Sequence, residues 1–471
     1  MTVLASFSLQ DPDFIRACYI AAFVLFILGL RYLNHPRSAR RGNILAAIGM
    51  AIAVVATLLI EEVGDYGLIA VGVAIGTAVG VPAARGVKMT AMPQMVALFN
   101  GVGGGAVALI AWTEFRQAGG DLPADVEIPL LFSAIVGSVS FWGSNIAFAK
   151  LQELLPGRPI MLPGQQLINA ALAAIAIGCA VALAAGSESE GLFIALLLSA
   201  AVLGNMVVLP IGGADMPVVI SLLNAFTGLS AAAAGMALDN VALIVAGTLV
   251  GASGSILTNL MAEAMNRSIV SVIAGGFGGG GITADAGAGP GAEGGTVRST
   301  SAADVAIQLS YAQSVVVVPG YGMAVAQAQH AVRELADELE KRGIEVNYAI
   351  HPVAGRMPGH MNVLLAEADV PYDQLKEMDE INPQFPRTDV SLVIGANDVT
   401  NPAARSNPNS PIAGMPILDV DKSEAIIVLK RSMNPGFAGI ENELYYDPKT
   451  SMLFGDAKES ITNVTAEVKE L

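Results

Sequence analysis

The turn that follows a run of four valines has residue types suited to binding a nucleotide. The run at 315–318 is typical of a buried strand, and Pro319-Gly320-Tyr321-Gly322 leads from it into a helix-forming stretch. Gly320 permits a tight turn, Gly322 would let the backbone approach a pyrophosphate, and the next helix N-terminus would supply N–H groups. Val325 stands where the usual pattern has a third glycine, so a tight turn without a ligand is the alternative.

Loops after three other predicted strands carry further groups that would contact a nucleotide. They are His351-Pro352-Val353-Ala354-Gly355-Arg356, Gly395-Ala396-Asn397-Asp398 and Lys430-Arg431. Ligands of open parallel sheets bind in the crevice at the carboxyl ends of the strands. The second strand ends without the acid that an NAD ribose requires, whereas the adjacent cations Lys430 and Arg431 suit the extra phosphate of NADP. The alternatives are a solvated basic turn for that pair and no ligand for Arg356.

Five strands and one long helix are predicted around these loops. The strands cover 314–318, 344–350, 390–394, 425–429 and 451–454, and the helix covers 324–342. Short apolar runs that alternate with helical stretches are typical of an α/β domain with a mostly parallel sheet. A Gly-x-Gly-x-x-Gly match at 276–281 lies in a Gly/Ala-rich tract without a preceding strand, so a flexible linker is expected there.

Nine apolar stretches precede this part, each near the length that crosses a bilayer. They are 14–33, 43–60, 66–84, 93–112, 128–149, 165–185, 191–210, 217–238 and 241–260. With 53% hydrophobic and 14% charged residues, the chain has the composition of a membrane block joined to a soluble domain. We predict a polytopic α-helical membrane domain at 1–262, a linker at 263–300 and an α/β Rossmann-like domain at 301–471.

Charge limits the partners and orients the spans. Most of the acidic excess behind the net charge of −16 lies after residue 262, which argues against nucleic acid as a partner. The two cysteines lie in apolar runs and show no metal-binding spacing, so no metal is expected. Basic residues occupy alternate loops, including Lys150 between spans five and six. The positive-inside rule then places the N-terminus outside and the second half of the chain in the cytoplasm.

Polar groups of the membrane half are the remaining candidates for a transport path. No predicted span has an ionisable residue in its interior, although proton relays use such groups. Asn100 and Asn224 lie in spans and Asp215 lies in the loop before span eight, so these three are proton-path candidates. The alternatives are hydrogen bonds between helices for the asparagines and simple solvation for Asp215.

Six sequence blocks, spread over nearly the whole chain, carry a resemblance to a known family. They are Lys88-Met89-Thr90-Ala91-Met92-Pro93-Gln94 and the segments 318–329, 351–362, 395–398, 430–437 and 454–458. In this order and at these spacings they resemble the beta subunit of the proton-translocating NAD(P) transhydrogenase. The resemblance implies a bacterial inner-membrane enzyme that passes hydride between NAD(H) on an alpha subunit and NADP(H) on this chain while protons cross the membrane. It also implies a dimer of alpha–beta units.

The resemblance further implies which residues form the NADP site. They are Gly320, Tyr321, Gly322, Val353, Ala354, Gly355, Arg356, Met357, Pro358, Gly395, Ala396, Asn397, Asp398, Lys430, Arg431, Ser432, Met433, Asn434, Pro435, Gly436, Phe437, Asp456 and Ala457. Lys430 and Arg431 would hold the 2′-phosphate, segment 430–437 would form a lid, and Asp398 would sense the proton step. Direct hydride transfer requires no catalytic acid or nucleophile. In this family the nucleotide lies in the reversed direction across the sheet, which agrees with the imperfect glycine pattern.

Two positions depart from the family, and other functions stay open. Asn100 replaces a histidine of the fourth span, and Phe437 replaces a tyrosine of the lid. The first change leaves the proton-carrying group open, so we expect a titratable residue of the alpha subunit, with waters held by Asn100 and Asn224. The alternative function is a nucleotide-gated ion channel or transporter, which would bind NAD or NADH tightly. A membrane quinone or flavin reductase is less well supported, since haem and metal ligands are missing.

Overall fold

The computed structural model describes most of the chain. Described residues are 10–33, 36–60, 63–88, 91–156, 159–212, 215–264, 268–269, 297–355, 359–408, 410, 412–436 and 438–471. The glycine match at 276–281 and most of the predicted linker lie outside them. The boundaries at residues 262 and 300 therefore stay a prediction.

Nine helices of the described first half are long and apolar enough to cross a membrane. They are α1 (Pro12–Leu33), α2 (Pro36–Leu58), α3 (Tyr66–Gly86), α4 (Met92–Gln117), α5 (Ala124–Leu151), α6 (Gln165–Ala184), α7 (Glu190–Val208), α8 (Met216–Ala237) and α9 (Val241–Ala264). The predicted polytopic membrane block is confirmed, with several helices longer than expected. The chain is thus a membrane protein.

Small residues set how closely these helices pack. Helices α8 and α9 touch where a Cβ added to Gly247 would lie 2.5 Å from the backbone nitrogen of Ala232. Only a residue without a Cβ allows two helix backbones to approach this closely. Helix α3 differs, because it buries none of its residues within the described chain. A Cβ at Gly76 in α3 would meet nothing within 4 Å.

Lys150 is not a loop residue, contrary to the prediction. It lies in the last turn of α5 and is buried. Its ammonium donates to the carbonyl oxygens of Leu209 and, at 2.8 Å, Ile211, just beyond the end of α7. Carbonyls at a helix C-terminus lack intrahelical donors, and a cation there satisfies them. A span that extends past its apolar stretch can therefore bury a lysine as a cap.

The described residues of the second half form one sheet of six parallel strands in the order β3-β2-β1-β4-β5-β6. The strands are β1 (Ser314–Pro319), β2 (Glu345–Ile350), β3 (Leu375–Glu377), β4 (Val390–Ile394), β5 (Ala425–Lys430) and β6 (Thr450–Phe454). The helices are α10 (Ala302–Tyr311), α11 (Tyr321–Val325), α12 (Gln329–Lys341), α13 (His360–Glu367), α14 (Met378–Ile381), α15 (Ala403–Ser406) and α16 (Ala457–Glu470). The Rossmann-like α/β prediction is confirmed.

The strand order reverses between β1 and β4, and buried clusters cover both faces of the sheet. One cluster includes Val317 and Leu392, and the other includes Val318 and Val393. Successive strand residues point to opposite faces, so valine-rich strands buried on both faces read as continuous apolar runs. Strand β3 was missed because it has three residues and two of them, Lys376 and Glu377, are charged.

The single helix predicted over 324–342 is wrong, because the chain breaks between α11 and α12. Gln327 adopts a left-handed backbone conformation with φ 52°. The N–H of Ala328 donates to the carbonyl of Met323 at 3.1 Å. This hydrogen bond spans six residues, and the residue before its donor is left-handed. Together these two features form the Schellman motif that ends a helix. The short helix α11 therefore stands alone after β1, directly at the carboxyl edge of the sheet.

Candidate functional site

The carboxyl ends of β1, β2, β4, β5 and β6 meet at one edge of the sheet because all the strands are parallel. The edge includes the point between β1 and β4 where the strand order reverses. In open α/β sheets this reversal leaves a crevice, since the loops on its two sides lead to opposite faces. The sequence-predicted loops therefore lie along one edge.

The loops after β1 and β4 pack backbone against backbone. The N–H of Gly320 donates to the carbonyl of Ile394, and that of Gly322 donates to the carbonyl of Gly395, each at 2.9 Å. A Cβ on Gly320 would lie 2.4 Å from the nitrogen and Cα of Ala396. These amides are thus already engaged, and the close approach that requires glycine is to a neighbouring loop. Gly322 packs against Gly395, and its expected role in admitting a pyrophosphate stays a prediction.

The loop after β2 is held by a buried histidine. His351 Nε2 lies 2.8 Å from the carbonyl oxygen of Pro416, and Val353 N–H donates to Nδ1 at 3.3 Å. This pattern fixes the neutral tautomer that carries its proton on Nε2. Burial lowers the pKa of His351 to about 4. Gly355 has φ 109°, which favours glycine. The next three predicted site residues, 356–358, lie outside the described residues.

Asn397 lies at the centre of the site after β4. The orientation of its amide that satisfies every neighbour has Oδ1 accepting from Gly436 N–H at 2.7 Å and from Lys430 Nζ at 3.2 Å. Its Nδ2 then donates to Tyr445 Oη at 3.0 Å. Asn442 Nδ2 donates to the Asn397 carbonyl at 3.0 Å. One asparagine therefore links β4, the end of β5 and the segment before β6.

The cation pair after β5 is split between two environments. Lys430 is half-buried, and its ammonium donates to the carbonyl of Asn434 and lies 5.0 Å from the ring centroid of Tyr445. Burial lowers the pKa of Lys430, and the nearby Asp398 carboxylate partly opposes that shift. Arg431 is exposed. The two neighbouring cations therefore differ, because the ammonium of Lys430 has partners within the fold whereas Arg431 lies at the surface.

The segment 432–436 lies over the loop after β4. Its Ser432, Asn434 and Pro435 are exposed, whereas Met433 packs against the buried cluster on one sheet face. Asp398 Oδ2 accepts from the N–H of Ala438 at 3.0 Å. The next residue of the predicted lid, 437, lies outside the described residues. The residue directly after the lid is therefore held by the carboxylate that was predicted to sense the proton step.

Asp456 caps a helix. Its Oδ1 accepts from Lys458 N–H at 3.0 Å and Glu459 N–H at 3.4 Å at the start of α16. Ala457 is buried. Gly455 N–H donates to the Lys430 carbonyl at 3.2 Å, so the segment reaches the site edge through its backbone. A structural role accounts for the described contacts of Asp456.

The structure adds Tyr445 and Asn442, which the sequence reading did not identify. Both lie between β5 and β6, where no strand-end signal marks them. Each is a buried residue with a polar group that needs a partner, and each contacts Asn397. Only the fold brings Tyr445 beside Lys430, since about fifteen positions separate these two residues along the sequence.

The membrane candidates fall into two places. Asn100 Nδ2 donates to Ser144 Oγ at 2.9 Å and to Ser140 Oγ at 3.4 Å. Ser140 Oγ lies 2.6 Å from Thr227 Oγ1, which joins α4, α5 and α8. Asn224 lies three residues before Thr227, a spacing that shares one helix face.

The third candidate, Asp215, directly precedes α8. Its distance along α8 from the Asn224 position is about 13 Å at a rise of 1.5 Å per residue. The structure therefore brings Asn100 near the α8 face of Asn224, and it leaves Asp215 at the end of the helix.

Comparison with known proteins agrees with this two-part architecture. The family model described as NAD(P) transhydrogenase beta subunit matches residues 15–467. Two relatives named NAD(P) transhydrogenase subunit beta, both from Rhodospirillum rubrum and one of them from a defined strain, are each 52% identical over 449 residues. The match covers 94% of this chain and 96% of each relative. The chain therefore belongs to the beta-subunit family of the NAD(P) transhydrogenases, which are enzymes that act with a second subunit.

Proposed function

We propose that this chain binds NADP(H) at the carboxyl edge of its sheet and exchanges hydride with NAD(H) on an alpha subunit while protons cross the membrane. The observation that carries the proposal is the half-buried ammonium of Lys430 at the end of β5, with the exposed Arg431 beside it. Cations at a strand's carboxyl end suit the 2′-phosphate that distinguishes the two dinucleotides. At the end of β2, where an NAD site would place an acid, the neutral His351 stands.

The residues at this edge fit a nucleotide covered by a lid. Gly436 lies so close to the loop after β4 that an added Cβ would be 2.6 Å from Asp398 Oδ1. A lid built on glycine can therefore lie flat on this loop. Because Ala438 N–H is held by the carboxylate of Asp398, protonation of Asp398 would weaken that hydrogen bond. A proton delivered here would thereby loosen the backbone directly after the lid.

The chain contributes binding and orientation. When bound, nicotinamide rings supply the hydride chemistry, so no side chain of this protein has to act as an acid or nucleophile. The lid residues 430–437 and the loops after β1 and β4 would hold the nucleotide with one ring face open toward the partner subunit. They would also exclude water from the transfer step.

The coupling we propose uses the membrane helices. One proton that moves down about 100 mV releases about 2.3 kcal/mol. That energy shifts an equilibrium roughly 50-fold. The proton path would include Asn100 and Asn224, together with water and a titratable residue of the alpha subunit. Asp215 would lie at the cytoplasmic end of this path. A change of protonation then has to alter the affinity for one form of NADP(H).

We place the enzyme in the bacterial inner membrane, with the N-terminus in the periplasm and the nucleotide domain in the cytoplasm. Basic residues at the end of α1, in the first turns of α2 and at the end of α3 support this orientation. We also propose two alpha–beta units per complex. Proteolysis of the intact domain in inside-out and right-side-out vesicles tests the orientation, since only one vesicle type should expose it.

The nucleotide proposal is tested by titrating the full chain in detergent with NADPH and with NADH. NADPH should bind at least about 100-fold more tightly, because two charge-assisted contacts are available to it alone. The double variant Lys430→Met with Arg431→Met should remove that preference, and Lys341→Met serves as a control for loss of an exposed lysine in the same domain. Equal or tighter binding of NADH by the wild type contradicts the proposal and favours a nucleotide-gated transporter.

The coupled reaction is tested in vesicles that contain this chain and its alpha partner. Reduction of an NAD analogue by NADPH should change the pH on one side of the membrane, and an uncoupler should abolish the pH change without stopping hydride transfer. Hydride transfer without any pH change would contradict the coupling.

A further inference from the structure

Tyr445 occupies the floor beneath the Lys430 ammonium. It lies in the short 3-10 turn 443–446, its side chain is 2% exposed, and the Lys430 Nζ stands 5.0 Å from its ring centroid. A cation at this distance from an aromatic face is attracted by the negative charge of the ring surface. The attraction is stronger where water is excluded, as it is under Lys430. The tyrosine is thus a partner of the cation and more than a filler of the core.

The tyrosine is itself held in place from two sides. Asn397 Nδ2 donates to its hydroxyl, and Asn442, three residues earlier, donates to the Asn397 carbonyl. Asn442 Oδ1 also accepts from Leu444 N–H at 2.9 Å and starts the turn that carries Tyr445. Buried side chains with every polar group satisfied have one orientation, since any other would leave a group unpaired. The ring plane is therefore fixed relative to β4 and β5.

Lys430 also has a competing partner in the lid. Its ammonium donates to the carbonyl of Asn434, four residues further along the same segment. Asn434 is exposed, so this contact can be exchanged for water or for a ligand oxygen. The ring of Tyr445 and the amide of Asn397 cannot be exchanged in this way, because both are locked in the fold. They remain beneath the cation when the lid carbonyl leaves.

We propose that Tyr445 is a positioning residue for NADP selectivity, which holds the Lys430 ammonium over its ring so that it faces the 2′-phosphate. This inference rests on the function proposed above. Without the ring, a four-carbon side chain samples many rotamers and loses much of its contact with a single phosphate. Affinity for NADPH should then fall while affinity for NADH, which has no 2′-phosphate, stays the same.

The test measures dissociation constants of NADPH and NADH for the membrane complex of this chain with its alpha partner. Tyr445→Leu should weaken NADPH binding about tenfold, within the range of a desolvated cation–aromatic contact. Tyr445→Phe keeps the ring and should stay within about threefold of the wild type. Tyr446→Leu makes the same change at the next position, on a partly exposed ring whose hydroxyl donates to Glu441 Oε2 at 3.1 Å, and should leave both constants unchanged.

Two further measurements separate positioning from simple support of the core. In a Lys430→Met background, Tyr445→Leu should cause no additional loss of NADPH affinity, because the cation it positions is gone. Phenylalanines with one, two and three ring fluorines at position 445 keep the shape but weaken the negative ring face. NADPH affinity should decline stepwise along that series, with NADH affinity flat. The series also decides the matter if Tyr445→Leu fails to fold.

The possible results test the role of Tyr445 separately from the proposed binding of NADP(H), on which it rests. Three results would each overturn the role of Tyr445. They are equal losses of NADPH and NADH affinity, an undiminished loss of NADPH affinity on Tyr445→Leu in the Lys430→Met background, and an NADPH affinity that does not change along the fluorine series. A wild-type complex that does not prefer NADPH would instead contradict the proposed function, whatever the variants do.

Discussion

The membrane bundle and the nucleotide domain use glycine and buried polar groups in different ways. At the sheet edge, Gly320 brings two loops together and Asn397 has partners for both ends of its amide. Between α4, α5 and α8, Asn100 donates twice, but its Oδ1 has no hydrogen-bond partner among the described residues. A buried acceptor without a donor costs free energy unless water or another chain supplies one. Asn397 is therefore satisfied within this chain, whereas the buried acceptor of Asn100 is open to a further donor.

The largest expected effect tests whether the nucleotide edge is as tightly fixed as this contrast requires. Gly320→Ala would place a methyl group 2.4 Å from backbone atoms of Ala396 and Gly395, which cannot move without disturbing β4. Overpacking of this kind should cost about 3 kcal/mol. Hydrogen exchange of the β1 and β4 amides in the full chain measures the loss.

The control for Gly320 is a glycine at which the backbone conformation, and no neighbouring atom, disfavours a side chain. Gly343 has φ 82° and no atom within 4 Å of an added Cβ. Its replacement by alanine should cost only about 1 kcal/mol of backbone strain. Equal costs at the two positions would mean that the contact between the β1 and β4 loops is not tight.

A second prediction concerns pH and the histidine that fixes the loop after β2. Burial lowers the pKa of His351 to about 4, below its value in the unfolded chain. The unfolded state then binds more protons between the two pKa values, so stability is present above about pH 6.5 and is lost as the pH falls toward 4. The loss between pH 7.5 and pH 5 should be about 2 kcal/mol.

His351→Gln should remove most of that pH dependence, since glutamine keeps a donor for the Pro416 carbonyl without titrating. His330→Gln, at an exposed position of α12, is the matched control. Hydrogen exchange of the β2 amides, followed at both pH values, reports the difference. An unchanged pH slope in His351→Gln would assign the dependence to another group.

The elements of the fold were predictable because their signals are local and repeated. Nine long apolar stretches and five short strand-like runs identify the spans and all strands but one, since burial in lipid or between two helix layers selects the same residues along each element. The break at Gln327 was not predictable, because nothing in the residue type favours a left-handed conformation there. The helix ends at this position because of tertiary packing, which buries Ala328 directly before α12.

The site was predictable only in part, for a related reason. Strand-end loops with glycines and cations can be read along the chain, and Lys430 does lie at such an end. The hydrogen bond from Gly322 N–H to the Gly395 carbonyl could not be predicted, because it joins residues more than seventy positions apart. Tyr445 was missed for the same reason. Resemblance to a family supplies the order of the blocks, but contacts between them come from the structure.

A third prediction extends the contrast to glycines of the membrane bundle. Gly247→Ala would press a methyl group against the Ala232 backbone at 2.5 Å and should separate α8 from α9, at a cost of about 2 kcal/mol. Gly76→Ala, in α3, meets nothing within 4 Å and should be neutral or slightly stabilising in the isolated chain, since alanine is the better helix former. Thermal unfolding of the two variants in the same detergent compares them.

The smallest effect on stability should come from Asn100, and it bears most directly on the contrast. Asn100→Leu removes two donated hydrogen bonds, but it also removes an unsatisfied buried oxygen, so the net cost should stay below about 1 kcal/mol. If that oxygen receives a donor from water or from the alpha subunit, proton movement in vesicles should nevertheless fall at least tenfold while NADPH binding stays normal. Ser199→Ala, which removes a buried hydroxyl that donates to the Leu196 carbonyl of its own helix at 2.9 Å, is the control. Unimpaired proton movement in Asn100→Leu would show that the open acceptor is a packing feature, and Asn100 would then need no donor from outside the chain, as Asn397 needs none.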